Sequence, residues 1–197
     1  LVNDTSGTNS AGIIKTGVAT LLLSNDANNF TTLTIQQGTV SATSIAASGT
    51  ASAIGRGSSI TLGGATTEGI LNFTGTNAAM ASTNRAINLA DSTVGARITN
   101  NGSVALLFNG TFSAVGNTNR TMTFGGANTG ANDFQNILVN PSSPGILTCT
   151  KADAGTWTLS GANTYTGQTN INNGTLNVAT IADSGSSNLG LGTLIRI

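Results

Sequence analysis

The sequence predicts an all-β protein wound as a right-handed parallel β-helix, a β-solenoid, and three observations lead there. Ser, Thr and Asn supply 76 of the 197 residues and Gly another 26, while 38% are hydrophobic, a mixture that suits strands and turns better than helices. Short segments of alternating apolar and polar residues recur between turn formers, with no sustained helical stripe. A long internal similarity joins the two ends of the chain; stacked coils reuse similar sequence as they climb, whereas a sandwich or a barrel has no such need. The right hand follows from the rule that parallel β-crossover-β links are right-handed in about 98% of cases.

In chain order the strand signals are "LTIQQ", "SITLG", "GILNFTG", "AINLA", "ARITN", "SVALLFNG", "TMTFG", "FQNILV", "ILTCT", "TWTLS" and "TLNVA". Between them stand Asn-Gly at 101–102, 109–110 and 173–174, Gly-Gly at 63–64 and 125–126, and "NPSSPG" at 140–145, each a natural turn former. Turn spacing suggests roughly 20 to 25 residues per coil and, with strands about 4.8 Å apart, a rise of roughly 40 Å. In "TWTL" the alternation points Leu159 inward and Thr158 outward, and in "ILTCT" it puts Cys149 on the face of Leu147, as a packed core thiol.

The internal similarity aligns residues 15–57 with 151–192 at an offset of 136, bringing Lys15, Leu23, Ile35, Gly38 and Thr39 onto Lys151, Leu159, Ile171, Gly174 and Thr175. Phe30 and Tyr165 also correspond. A smaller echo relates "TNRAINLADSTVGA" (83–96) to "TNRTMTFGGANTGA" (118–131), 35 residues on. We therefore read residues 1–197 as one continuous solenoid segment, with repeat copies at 15–57 and 151–192 and a spacer at 58–150.

The second copy resembles the autotransporter-associated β-strand repeat of bacterial surface proteins. That motif runs Lys, Gly-Thr, an apolar residue, Thr-Leu-Ser-Gly, Asn-Thr-Tyr-Thr-Gly, Thr, then Gly-Thr-Leu. Lys151, Gly155, Trp157, Leu159, Gly161, Asn163, Tyr165, Gly167, Ile171, Gly174 and Leu176 fall on or within it in order. The first copy departs from it, with Asn25 in place of the first Gly after the Leu-Ser step and Phe30 in place of Tyr. The resemblance implies a parallel β-helix exported across the envelope, often as a passenger stalk. It implies no catalytic residue, cofactor or metal.

Composition narrows function further. Histidine is absent, seven basic side chains balance seven acids, and 7% of residues are charged, so the chain has no field for nucleic acid or an anionic membrane. No apolar run reaches the roughly 18 residues of a membrane span, and no basic-then-apolar leader opens the chain. Polysaccharide cleavage needs converging carboxylates. Asp4, Asp26, Glu68, Asp91, Asp133, Asp153 and Asp183 mostly sit beside small turn residues, where a solvated loop acid is the plain reading. "FGGANTGAND" (124–133) lacks the repeating Gly-x-Asp order of a calcium turn. Arg85 and Arg120, each after Thr-Asn, read as solvated corner residues.

Two binding alternatives stay open at this stage: sugar stacking on Trp157 and Tyr165, and a flat hydroxyl array on Thr-x-Thr pairs such as 32–34, 121–123 and 156–158. The expectation is a non-enzymatic, rigid structural segment of an extracellular bacterial surface protein, a stalk or fibre, with a carbohydrate-binding adhesin as the alternative. Its partners are expected to be further repeats of the same chain or other copies end to end, with cell-surface glycans as possible ligands.

Overall fold

The computed structural model describes residues 11–182, 187–192 and 194–197; Asp4 and Asp183 lie outside them. The chain begins with β1 (Gly12–Lys15), β2 (Thr20–Leu23), β3 (Thr32–Ile35), β4 (Gly38–Ala42), β5 (Ser59–Leu62) and β6 (Gly69–Phe73). A single 3-10 turn, Ala78–Met80, is capped by the Asn77 side chain. Then come β7 (Ser82–Thr83), β8 (Ala86–Leu89), β9 (Gly95–Asn100), β10 (Leu107–Phe108), β11 (Phe112–Ala114) and β12 (Arg120–Gly125). The series ends with β13 (Asp133–Phe134), β14 (Leu147–Lys151), β15 (Thr156–Leu159), β16 (Thr169–Ile171), β17 (Thr175–Val178) and β18 (Ile195–Arg196).

All pair in parallel in three sheets, giving the parallel β-solenoid the sequence predicts. The first sheet runs β1-β3-β5-β8-β11, the spine sheet β2-β4-β6-β9-β12-β14-β16-β18, and the third sheet β7-β10-β13-β15-β17. Consecutive strands of a sheet are a coil apart in sequence. Register gives the coil lengths directly: Thr20 pairs with Thr39, a coil of 19 residues, Gly38 with Gly69, a coil of 31, and Cys149 with Thr169, a coil of 20. Coils therefore vary more than turn spacing suggested. Eight strands in the spine sheet make seven steps, or about 34 Å of rise at about 4.8 Å each, somewhat below the expected value.

Alternation sorts each strand into inner and outer residues. Val40, Leu71, Ile98, Phe124 and Lys151 form one inward column of the spine sheet, while Thr39, Ile70, Arg97, Thr123 and Thr150 form its outward neighbour. All eight aromatic side chains are buried. Phe124, Phe134 and Trp157 pack together, with centroids 4.9 Å apart for the Phe pair and 5.2 Å for Phe124 and Trp157.

Several strands are shorter than their sequence signals. Of "SVALLFNG" only Leu107–Phe108 pairs, and of "FQNILV" only Phe134, joined by Asp133. At both places the chain turns on buried polar groups: Leu106 donates its N–H to Asn132 Oδ1 and Leu138 to Asn163 Oδ1, so these backbone donors leave the ladder for a side chain.

Candidate functional site

The two copies share one polar centre. At the end of β1 the Lys15 side chain turns inward and its Nζ donates to the carbonyls of Thr16 (3.1 Å), Gly17 (2.6 Å) and Gln37 (3.1 Å). At the end of β14 the Lys151 Nζ donates in the same way to Ala152, Asp153 (2.7 Å) and Asn173 (3.0 Å). An ammonium has three donors and no acceptor, so three carbonyls satisfy it completely. Two come from the turn that follows the lysine and the third from the turn one coil above, so each lysine clips neighbouring coils together. Burial lowers the pKa of Lys151, Asp153 opposes that shift, and Arg97 adds to it.

The turn above must come close for the third bond to form, and a glycine permits it. Gly38 and Gly174 both have left-handed backbones, φ +72° and +70°. A Cβ on Gly174 would lie 2.4 Å from the Asp153 and Gly155 carbonyls, and one on Gly38 would lie 2.5 Å from the Gly17 carbonyl.

The correspondence continues past the lysine turns. Phe30 and Tyr165 are buried at matching corners, and Tyr165 Oη meets Thr169 Oγ1 at 2.7 Å. Asn28 Nδ2 donates to the Ala53 carbonyl and Asn163 Nδ2 to that of Asn188. Ser52 Oγ donates to the Gly55 carbonyl at 2.8 Å and Ser187 Oγ to that of Gly190 at 2.9 Å. Arg56 and Leu191 correspond too, each backbone N–H donating to the carbonyl of the corner aromatic.

Equivalent strands do not occupy equivalent sheets. In the first copy β1, β3 and β5 stack in the first sheet and β2 and β4 in the spine; in the second, β14, β16 and β18 stack in the spine and β15 and β17 in the third sheet. The repeat has moved round the solenoid by one face. The smaller echo behaves alike, with β8 in the first sheet and β12 in the spine.

The remaining motif residues serve packing. Trp157 is buried, its Nε1 donating to the Gly125 carbonyl at 2.9 Å, and Leu159 is buried beside it. Gly155, Gly161 and Gly167 each run within contact of the preceding coil's backbone; a Cβ on Gly167 would lie 2.2 Å from the Leu147 carbonyl. Ile171 is half-buried, and Leu176 packs against the core from a partly exposed position.

The arginines correct the sequence reading. Arg85 is 1% exposed and Arg120 3%. The Arg85 guanidinium donates to the carbonyls of Ile54 (3.0 Å), Thr50 (3.1 Å) and Gly55 (2.7 Å) in the coil below. Burial pulls its pKa down to about 10, still far above neutrality, so it remains charged. Arg120 reaches the carbonyls of Ala90 and Val115 and pairs with Asp91 at 2.9 Å. The backbone at each corner supplies a nest of carbonyls that takes most of the guanidinium's donors, with Arg85 Nε left buried and unpaired. Neither is a free cation for a sugar or an acidic partner.

Several of the acids also have partners. Asp26 accepts from Ser44, Asp133 from Ser160 and Gln135, and Asp153 from Arg97 and the Gly126 N–H. Among the described residues no three His, Cys, Asp or Glu side chains gather as metal ligands. In the 124–133 turn, Asn128 and Asn132 spend their amides on Gly102, Val104 and Thr156 carbonyls in neighbouring coils. Trp157 and Tyr165 present no face for a sugar, because both are buried. Thr121 and Thr123 do align with Thr148 and Thr150 across β12 and β14. Cys149 is buried as expected, and burial pushes its thiol up to about 12.

The buried asparagines are what sequence reasoning missed, although a signal existed. Ala-Asn-x-aromatic occurs at 27–30, 131–134 and 162–165, and in each the Asn and the aromatic residue are buried.

No curated protein and no solved structure matches the chain. The family model described as passenger-associated-transport-repeat matches residues 13–42 and 150–178, which hold the two lysine clips and the four strands around each. Two segments of the chain therefore match the passenger-associated-transport-repeat, and they are set one face apart on a single parallel β-solenoid.

Proposed function

We propose that this passenger segment is a non-catalytic rod, a stalk or fibre element displayed at the bacterial surface. The observation that supports this most is where the charge goes. Among the described residues, Lys15, Arg85, Arg97, Arg120 and Lys151, five of the seven basic side chains, each bind a group in another coil. Such groups hold coils in register instead of meeting a ligand. The step of one face between copies suits extension: further repeats stacked in a longer passenger would display the motif on successive sides of the rod.

The test joins trypsin digestion with a glycan array. Four of the basic side chains are buried, so the folded chain should resist trypsin for hours under conditions that cleave the urea-unfolded chain in minutes, and no glycan should be retained. Rapid native digestion would remove the rod, and selective glycan capture would favour an adhesin.

A further inference from the structure

The three Asn-Gly steps differ in ways that only the fold creates. We propose that Asn173–Gly174 is a site of enzyme-free self-modification, at which the asparagine loses ammonia and the main chain is converted largely to isoaspartate. In this reaction the Gly174 nitrogen, its proton lost to hydroxide, bonds to Asn173 Cγ; the Cγ–Nδ2 bond breaks and ammonia leaves. The resulting succinimide takes up water, which opens it to aspartate or isoaspartate.

Three observations place the reaction here. The Asn173 side chain folds back on its own nucleophile, its Oδ1 accepting from the Gly174 N–H at 2.8 Å, so Cγ is already near the nitrogen and rotation of the terminal amide turns its open face toward it. Asn173 is exposed, which admits hydroxide and water and releases ammonia. The Lys151 ammonium donates to the Asn173 carbonyl at 3.0 Å. That carbonyl belongs to the same peptide group as the Gly174 N–H, so the cation stabilises the amide anion formed when the proton leaves. It also polarises this carbonyl toward water after ring closure. Water attacking there leaves the α-carboxylate beside Lys151 and the chain running through Cγ, which is the isoaspartyl product.

The other sites lack this arrangement. Asn101 is tied sideways, its Oδ1 accepting from Ala127 N–H and its Nδ2 donating to Asn72, while the Gly102 N–H is held by Asn100 Oδ1. The Asn109 carbonyl has no cation bonded to it among the described residues. In the first copy Lys15 binds the Gln37 carbonyl at 3.1 Å ahead of Gly38, but glutamine is one methylene longer and closes only the slower six-membered imide. The chemistry thus belongs to one copy of the repeat.

The test is to age the full folded chain at mildly alkaline pH beside the same chain in denaturant. Peptide mapping reads each conversion as a gain of about one mass unit, and isoaspartyl methyltransferase labelling reads the linkage. In the folded chain Asn173 should react at least about tenfold faster than Asn101, since a side chain held against its nucleophile reacts as a prearranged pair. Isoaspartate should predominate there, Asn173→Gln should remove most of the label, and in denaturant the three sites should converge. Asn101 or Asn109 matching Asn173 in the folded chain, or Asn173 staying intact while the denatured chain reacts, would overturn the proposal.

Discussion

Lys151 donates to the carbonyl of Asn173, 22 residues later and one coil higher, and Lys15 makes the same bond to Gln37. Replacing Lys151 with Met keeps the apolar stem and strands three carbonyls. Hydrogen bonds to charged groups contribute about 1.5–3 kcal/mol each, so a net loss of about 3 kcal/mol is expected in urea unfolding. Lys15→Met should cost less, because β1 and β2 around it are more exposed than β14. A Lys151→Met chain as stable as the parent would show the clip to be idle.

Gly174→Ala and Gly17→Ala separate backbone conformation from crowding. Both positions have positive φ, but a Cβ on Gly17 meets nothing within 4 Å while one on Gly174 meets two carbonyls at 2.4 Å. Gly17→Ala should cost about 1 kcal/mol from the left-handed backbone alone. Gly174→Ala adds overpacking and should cost at least about 3 kcal/mol. Equal denaturation midpoints would contradict the close stacking of the two turns.

Leu159→Asp buries an unpaired carboxylate in the core and should cost more than about 4 kcal/mol, enough to disrupt the local coils. Thr158→Asp points outward, opposite Asp133 on β13, and should cost no more than about 1 kcal/mol through like-charge repulsion. Thermal melts of the two variants check the inward and outward assignment.

Asp153 supplies an acid-sensitive tether between turns. Burial acts to raise its pKa, but hydrogen bonds from Arg97 and Gly126 N–H and the nearby cations outweigh it, and the carboxyl is held below its ordinary 3.8. The folded state therefore binds its proton less readily than the unfolded state. The stabilisation is fully present above 3.8 and disappears as pH falls through that value toward the folded one. Asp153→Asn tolerates the same φ of +57°. The stability gap between parent and variant should be open at neutral pH and close in acid; a gap independent of pH would sink this account.

The sequence by itself determined what depends on neighbouring residues and on self-similarity. Alternation marks Leu159 as inward, Thr158 as outward and Cys149 as a core thiol, and Asn-Gly marks 173–174 as a turn, because period two and left-handed glycine are local properties. The repeat carried the β-solenoid, since stacked coils need similar sequence at similar places. What the tertiary structure decided is which partner each polar side chain finds. Arg85 and Arg120 read as solvated because an isolated arginine costs too much to bury; the carbonyl nests that cover that cost are assembled by residues up to 35 positions away. The short pairing of β10 and β13 likewise depends on Asn132 and Asn163 taking N–H groups from the ladder. Coil lengths of 19 to 31 residues set how far round the rod a given spacing travels. For that reason two copies 136 residues apart in sequence lie on different faces, a relation that pairing alone establishes.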